Sequence, residues 1–490
     1  MAENRERINL TILHSNDIHG DFVPEEKNGV LSGGIARLAG YINQTRAKEK
    51  NVIYAVAGDM FKGSIIDSEY MGISTIELMN MLYPDVVTLG NHEIDYGLAH
   101  LLFIEKCATF PIINANLFIT TNHTRLFNPY MIMEKDGIKI LFIGIVTEEV
   151  LASTKAEAVI GSFVDVREAA EEVGIICDTY KTMDINYTVI LSHIGFDKDQ
   201  ELAALLPPEY GVDLIIGGHT HTLLEKAVEV NGIQIVQAGN GTDQIGRIDL
   251  IFERGRRHVL GFKYRLVPIN ETSCEEDPFV REVFENYKTD TDRKYQQVLT
   301  TFRRKLTHPA RNQETELGNL FADLMQEDSS FDLMLLGSGS LRLPELGPVV
   351  HLEDLKVFFP YDDALHLLEV TGEQLKRMMA FILRDDAWTG HTEFYQVSKQ
   401  LHLVWSRSRH EFLEFTFNGK PLPDDARIKI ALQDYHFNNF TDFFGVPYEE
   451  VIKNRRPRVV AVSCCGIYEE MLMNKRNLDA HVEGRLTIVD

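Results

Sequence analysis

Apolar residues recur through the first 250 positions as short, uninterrupted, β-branched runs at 8–13, 52–57, 86–89, 138–146, 187–191, 212–216 and 233–236. A polar loop, most often containing glycine, follows a run, and a stretch of helical periodicity follows the loop. A strand that is apolar without alternation is buried on both faces, so these runs predict an α/β layered first domain. Near Pro268 the pattern stops. An acidic, turn-rich stretch at 270–278 leads into 279–299, which is long, heavily charged and free of Gly and Pro. This predicts a solvent-exposed helix joining two domains, with a surface helix of the first domain as the alternative. The expected division is 1–270 for the first domain, 271–300 for a helical linker and 301–490 for the second domain.

In the second half, Leu317, Leu320, Phe321, Leu324 and Met325 form an i, i+3, i+4, i+7, i+8 stripe that predicts a helix lying on a core. The run 365–370 reads as a strand. It leads into Thr371-Gly372-Glu373-Gln374, a capping box opening a helix to about Leu383. The second domain is therefore mixed.

A chain of 490 residues has room for two or three domains, each with its own core. Lys and Arg number 49 against 73 Asp and Glu, a net charge of −24 that repels polyanions and makes nucleic acid a poor partner. The opening MAENRERINL lacks the basic stub and apolar run of a secretory leader. Every apolar run also falls well short of the ~18 residues a membrane span needs, so neither export nor a membrane is expected. The five cysteines, Cys107, Cys177, Cys274, Cys464 and Cys465, are odd in number and lack zinc-site spacing. They read as reduced core thiols of a cytoplasmic protein. Oligomeric state leaves no mark in the sequence.

The chemistry gathers where the strands end. Asn16-Asp17-Ile18-His19-Gly20 follows the first run, Gly58-Asp59 the second, and Gly90-Asn91-His92-Glu93-Ile94-Asp95 the third. Ser192-His193 and Gly217-Gly218-His219-Thr220-His221 follow two later ones. Strand ends of an α/β sheet converge on one crevice. A single histidine after a strand is ordinarily a hydrogen-bonded surface residue. Two carboxylates, an amide and four imidazoles together would repel one another or stay unsatisfied without a cation, and mixed N and O donors suit first-row divalent metals.

The series D-x-H, G-D, G-N-H-E, a lone His and G-H-x-H resembles the calcineurin-like metallophosphoesterase superfamily. The Asp95 that follows G-N-H-E, together with a second domain, is similar to the 5'-nucleotidase family within it, a group that includes UDP-sugar hydrolases and cyclic phosphodiesterases. The resemblance covers nearly the whole chain and is strongest to about residue 260. It implies a four-layer α/β/β/α catalytic domain followed by a mixed α/β substrate-binding domain. It also implies two divalent ions (Mn, Zn, Fe, Co or Ni), one held by Asp17, His19 and His221, the other by Asn91, His193 and His219, with Asp59 bridging. A hydroxide activated between the ions would attack phosphorus without a covalent phosphoenzyme. His92, beside a ligand but not one itself, would meet charge developing on the phosphoryl or leaving oxygen, and Asp95 would hold its other nitrogen. His221 stands where nucleotidases of the family often carry an amide, which leaves monoester against cyclic diester open.

In the second domain, Arg311 and Arg342 look like the family's substrate-binding arginines, with ordinary surface salt bridges as the alternative. The loop at Gly337 departs from the family's Asn-Gly-Gly. Tyr361 matches a ring that stacks on a nucleobase, and its partner is expected from 432–444, where Tyr435, His436 and Phe437 are candidates beside core packing as the alternative. Asn438-Asn439-Phe440-Thr441-Asp442 replaces the usual Gly-Gly-Asp-Gly turn. A substrate shared by two domains implies closure about 279–299. The expected function is hydrolysis of nucleoside 5'-monophosphates to nucleoside and phosphate, with a small-molecule phosphate ester as partner. The alternatives are a 2',3'-cyclic nucleotide, a nucleotide sugar, another phosphate ester, or metal-dependent anion binding without turnover. Nucleases of long DNA share the first domain, but the net charge disfavours that reading.

Overall fold

All the apolar runs of the first half contain strands in the computed structural model, which describes residues 6–490 apart from 28, 120–121, 123, 148–159, 164, 255–258, 328 and 390–391. Residues 1–5, part of the stretch read for a leader, lie outside the described residues. The chain divides into two units, Met1–Thr291 and Asp292–Asp490.

In the first unit, one six-stranded sheet runs in the order Val259–Pro268, Gln244–Glu253, Arg7–Ser15, Val52–Ala57, Val86–Thr88, Ile112–Ile113. A second runs Val228–Val230, Ile233–Val236, Leu214–Ile216, Tyr187–His193, Ile138–Val146, Tyr130–Lys135. The inner faces meet through Ile12, Ala55, Phe142, Val189, Leu250 and Phe252, all buried. Helices Ile35–Lys48, Ile73–Leu82 and Leu98–Cys107 cover the outer face of the first sheet through Leu38, Ile42, Leu78 and Ile104. Helices Val166–Tyr180 and Phe196–Leu205 cover the second through Val173, Ile176 and Leu202. The result is the four-layer α/β/β/α arrangement. Arg7–Ser15, Val52–Ala57 and Val86–Thr88 pair in parallel, as do Ile138–Val146, Tyr187–His193 and Leu214–Ile216. Parallel pairing puts successive C-terminal ends on one edge of each sheet, and from those edges the polar loops emerge.

The structure departs from expectation in two places. The long antiparallel pair Gln244–Glu253 and Val259–Pro268 is not among the apolar runs, because Gln244–Glu253 alternates buried and half-buried residues and leaves no continuous run to read. The charged segment expected at 279–299 as a solvent-exposed linker is the helix Pro278–Tyr295, and Val280 and Phe284 lie in the core of the first unit, with Tyr287 against it. Its apolar stripe is i, i+4, i+7 and narrow, so surrounding charge masks it. The units divide inside this helix, between the expected limits of 270 and 300.

In the second unit, five strands pair in the order Tyr395–Val397, Leu333–Gly337, Arg427–Gln433, Leu365–Thr371, Arg458–Ala461, and four in the order Lys420–Pro421, Glu411–Phe417, Leu401–Ser406, Leu486–Val489. Helix Glu316–Gln326 buries all five residues of the predicted stripe. Helix Gly372–Ile382 opens with both reciprocal bonds of its capping box: Gln374 N donates to Thr371 Oγ1 at 3.0 Å and Thr371 N to Gln374 Oε1 at 2.8 Å. Leu375, Met378 and Met379 then join Leu368, Leu403 and Ile430 in one core. Thr371→Ala is expected to destabilise the second unit by about 1 kcal/mol, the usual cost of a lost N-cap, read as a lower denaturant midpoint of that unit. An unchanged midpoint would show that the cap contributes nothing.

Candidate metal centre

Five of the expected metal-holding residues have a positive φ: Asp17 at 51°, His19 at 51°, Asp59 at 54°, His219 at 82° and His221 at 53°. L-residues rarely adopt this region, at about 1–3 kcal/mol each, and do so only where the surroundings over-determine it. Here the loops brace one another. Asp17 N donates to Gly58 O at 3.0 Å, His19 N to Asp59 O at 3.0 Å, Gly20 N to Met60 O at 2.9 Å, and Gly241 N to Asp17 O at 2.8 Å.

The side chains converge. Asp17, His19 and His221 form one group able to hold an ion, and Asp59, His193 and His219 another, with the ligand atoms of each group within 4.8 Å. Asn91 joins the second group, its Oδ1 lying 2.8 Å from His219 Nδ1. Asp59 Oδ2 stands between the groups, 3.7 Å from His19 Nε2 and 3.1 Å from His193 Nε2. Asp17 Oδ1 is 3.5 Å from His221 Nε2 and 3.8 Å from His19 Nε2. All seven expected ligands are thus brought together.

The donor set fits divalent cations. His19 Nδ1 donates to the carbonyls of Phe61 and Lys62 at 3.1 and 3.0 Å, and His193 Nδ1 to Ala57 O at 2.7 Å, so in the neutral form of both rings the inward Nε2 is the nitrogen left with the lone pair. His19 Nε2 and His221 Nε2 lie 3.1 Å apart. Two imidazole nitrogens bound at about 2.1 Å to a shared ion, at near right angles, sit about 3 Å from each other. The buried His193 Nε2 has no hydrogen-bond partner: Asp59 is close but out of alignment. A buried nitrogen left in this way is costly unless something else satisfies it.

The protonation pattern points the same way. Burial would lower the His193 pKa, but the carboxylates of Asp59 and Asp17 outweigh it and raise it to about 10. Burial likewise opposes ionisation of Asp59, and the charge of His193 overcomes it and holds that carboxyl below its ordinary range. His221 is raised by Asp17. A proton on His193 therefore takes the place a cation would fill.

His92 stands beside this cluster with its ring one-third exposed. Its backbone N–H donates to Asp59 Oδ1 at 2.9 Å, and its ring Nδ1 is 2.6 Å from Asp95 Oδ2, a bond that raises the imidazole's pKa. Three supporting residues went unassigned in the sequence. The buried Glu93 accepts from the N–H groups of Asp59, Met60 and Gly90 at 3.0, 2.7 and 2.5 Å, fixing the loop that carries Asp59. Asn16 Nδ2 donates to Asp17 Oδ2 at 2.6 Å. Lys62 Nζ is 2.6 Å from Asp95 Oδ2. Glu93 and Asn16 could have been found as polar residues directly beside expected site residues, whereas Lys62 sits in a stretch with no such signal.

In the second unit, Arg311, Arg342, Tyr361 and Tyr435 line one cavity of about 350 Å³, together with Asp363, Glu393 and His436. Among the described residues neither arginine is in an ion pair, although the Arg311 charge acts on the Glu393 carboxyl in the same cavity. Tyr361 and Tyr435 are 43% and 53% exposed, so neither is a core ring. The Arg342 guanidinium lies 6.0 Å from the centre of the Tyr361 ring. Of the other candidates, Phe437 stacks on His366 at 4.0 Å, and the buried His436 is tied to Tyr395 Oη at 2.9 Å. Glu393, whose carboxyl is raised by burial, was not foreseen.

Two outcomes are expected. An added Cβ at Gly90 would meet Asp59 Oδ1 at 2.2 Å and Asp59 N at 2.5 Å, so Gly90→Ala should cut bound metal, measured by elemental analysis of dialysed protein, and full metal content would contradict it. Because an ion must displace the His193 proton, manganese affinity should rise by about tenfold per pH unit between pH 7 and 10, with proton release in calorimetry. By the same shift, the ion-free protein gains stability from His193 that is complete below 6.5 and lost as pH rises through about 10. An affinity independent of pH would show that His193 is not displaced.

Residues 10–223 match the calcineurin-like phosphoesterase family, and 293–446 match the 5'-nucleotidase C-terminal domain. The trifunctional nucleotide phosphoesterase protein YfkN of Bacillus subtilis (strain 168) is 27% identical over 97% of this chain and 35% of its own, so this chain spans about a third of that relative. The snake venom 5'-nucleotidase of Naja atra is 28% identical over 75% of this chain and 77% of its own. The crystal structure of a 5'-nucleotidase precursor from Thermus thermophilus has the same fold, with a TM-score of 0.62 at 24% identity over 99% of this chain and 100% of that one. The chain thus joins a stretch matching the calcineurin-like phosphoesterase domain to one matching the 5'-nucleotidase C-terminal domain, and these matches indicate a metal-dependent phosphoester hydrolase.

Proposed function

We propose that this protein hydrolyses nucleoside 5'-monophosphates to nucleoside and phosphate with two divalent ions. Asp17, His19 and His221 would hold one ion, Asn91, His193 and His219 the other, with Asp59 shared between them. The observation that carries the nucleotide reading is the cavity of the second unit. There, in a chain of net charge −24, two guanidinium groups with no ion pair among the described residues stand with two exposed tyrosine rings. Guanidinium forks take oxyanions and hydroxyls bidentately, and the rings offer planar faces to a base. Ligand cavities usually hold roughly 300–1,000 Å³, and this one is at the small end, suited to part of a nucleotide. The printed names of the relatives, 5'-nucleotidase and nucleotide phosphoesterase, support the same class.

Divalent ions at such a site neutralise phosphoryl oxygens and bring the pKa of a water toward neutrality. The remaining chemistry falls to the side chains. His92, with Nδ1 held by Asp95, keeps Nε2 for the charge that develops on the phosphoryl or leaving oxygen. Glu93 and Asn16 keep Asp59 and Asp17 from turning away. Hydrolysis of 2',3'-cyclic nucleotides is the second reading, favoured by an imidazole at His221. The free state of all five cysteines supports a cytoplasmic location. Recovery of the protein outside the cytoplasm by cell fractionation would overturn that placement.

The test is substrate loss and product identity, read by chromatography with phosphate release followed alongside, for manganese-loaded protein over AMP, GMP, CMP, UMP, 2',3'-cyclic AMP, UDP-glucose and p-nitrophenyl phosphate. A 5'-monophosphate should be fastest, and a cyclic diester turned over faster would transfer the conclusion to the second reading. His92→Asn should keep full metal content and lose on the order of 10²-fold in kcat. Wild-type turnover in that variant would end the role given to His92. Arg342→Ala should raise KM for AMP about tenfold, equal to ~1.4 kcal/mol, while leaving turnover of p-nitrophenyl phosphate unchanged. Equal losses on both substrates would contradict this.

A further inference from the structure

We propose that Lys62 is a positioning residue that aims the Asp95–His92 pair and ties it to the arm of the metal centre carried by His19. This rests on the role given to His92 above. Lys62 Nζ and His92 Nδ1 both lie 2.6 Å from the same atom, Asp95 Oδ2. Asp95 is 11% exposed and Lys62 57% exposed, so the ammonium reaches inward from the rim to a mostly buried carboxylate. His92 and Asp95 adjoin a single short turn, His92–Ile94, and one hydrogen bond between them leaves the carboxylate free to swing about its own side-chain torsions. A second donor, anchored on another loop, removes that freedom.

The other loop is rigid. Lys62 has φ of 62°, a conformation that a lysine keeps only where its neighbours impose it. Its N–H donates to Asp67 Oδ2 at 2.8 Å, and its carbonyl accepts from His19 Nδ1 at 3.0 Å. Asp67 is fully buried and also accepts from Thr75 Oγ1 and, at 2.8 Å, from the hydroxyl of Tyr96, the residue after Asp95. The backbone of Lys62 thus orients a metal-holding imidazole while its side chain orients the pair beside it. A half-exposed ion pair adds little to stability, so the use of this one lies in direction rather than in strength.

The experiment measures kcat, KM and metal content for Lys62→Met, Lys62→Arg, His92→Asn and the Lys62→Met/His92→Asn double variant, on whichever substrate of the panel the wild type turns over fastest. Lys62→Met should lower kcat about tenfold with KM within about twofold and metal content unchanged. Lys62→Arg should restore most of the loss. Lys62→Met should cost nothing further in the His92→Asn background, because the ammonium acts through that ring. A Lys62→Met kcat within about twofold of wild type, an effect on KM alone, a loss of metal, or a full extra loss in the double variant would each overturn the proposal. If Lys62→Met does not fold, Lys62→Gln is measured against the same outcomes. His92→Asn at wild-type turnover sinks the underlying role of His92. His92→Asn impaired with Lys62→Met unimpaired sinks only the inference about Lys62. Turnover of no substrate in the panel sinks both.

Discussion

Much of the first unit is organised around the burial of a charged group that has very little room to move. Asp59 is 2% exposed, and its loop is held by Glu93 from one side and by the Asp17 loop from the other. Gly90 lies so close that no side chain could stand there. A carboxylate in such a place is tolerable only with positive charge next to it, supplied here by imidazolium and, in the working protein, by cations. The two sheets matter chiefly as rigid supports for this arrangement. Their parallel strands end on common edges, and the loops leaving those edges are bound to one another through backbone hydrogen bonds.

The two units meet the same electrostatic problem with opposite chemistry. The first concentrates acids and imidazoles, so that it attracts cations and, through them, phosphate. The second holds Arg311 and Arg342 in no ion pair among the described residues, in a chain that carries 24 more acidic than basic residues. Other arginines of this chain are paired, as Arg485 is with Asp323 and Glu483. Leaving two guanidinium groups unpaired in one cavity, beside exposed tyrosine rings, keeps their binding capacity for a ligand.

How legible each feature was follows from its physical signature. Strands buried on both faces, such as Ile138–Val146, appear as apolar runs, and the ligands follow such runs directly in the chain. Gln244–Glu253 went unseen because its partly covered face interrupts the apolar pattern. The helix Pro278–Tyr295 looked solvent-exposed because two buried anchors, Val280 and Phe284, are outnumbered by charges. Lys62 was invisible for another reason: its partners are 33 residues ahead and 43 behind, at Asp95 and His19, and no local pattern records such contacts.

The sequence by itself determined which residue types stand at the ends of which buried strands, and from this the layered architecture, because periodicity and composition act directly over short windows. The expected metal-holding set and the hydrolytic class came from the resemblance of that series of motifs to a known family. Only the tertiary structure decided that Nε2 of His19 and of His193 faces inward, that Glu93 holds the Asp59 loop, that Lys62 and His92 share one carboxylate oxygen, and that Tyr435 rather than Phe437 is the ring on the cavity. Each depends on distances of a few ångströms between residues far apart in the chain, which come together only when the packed core has set the positions of the loops.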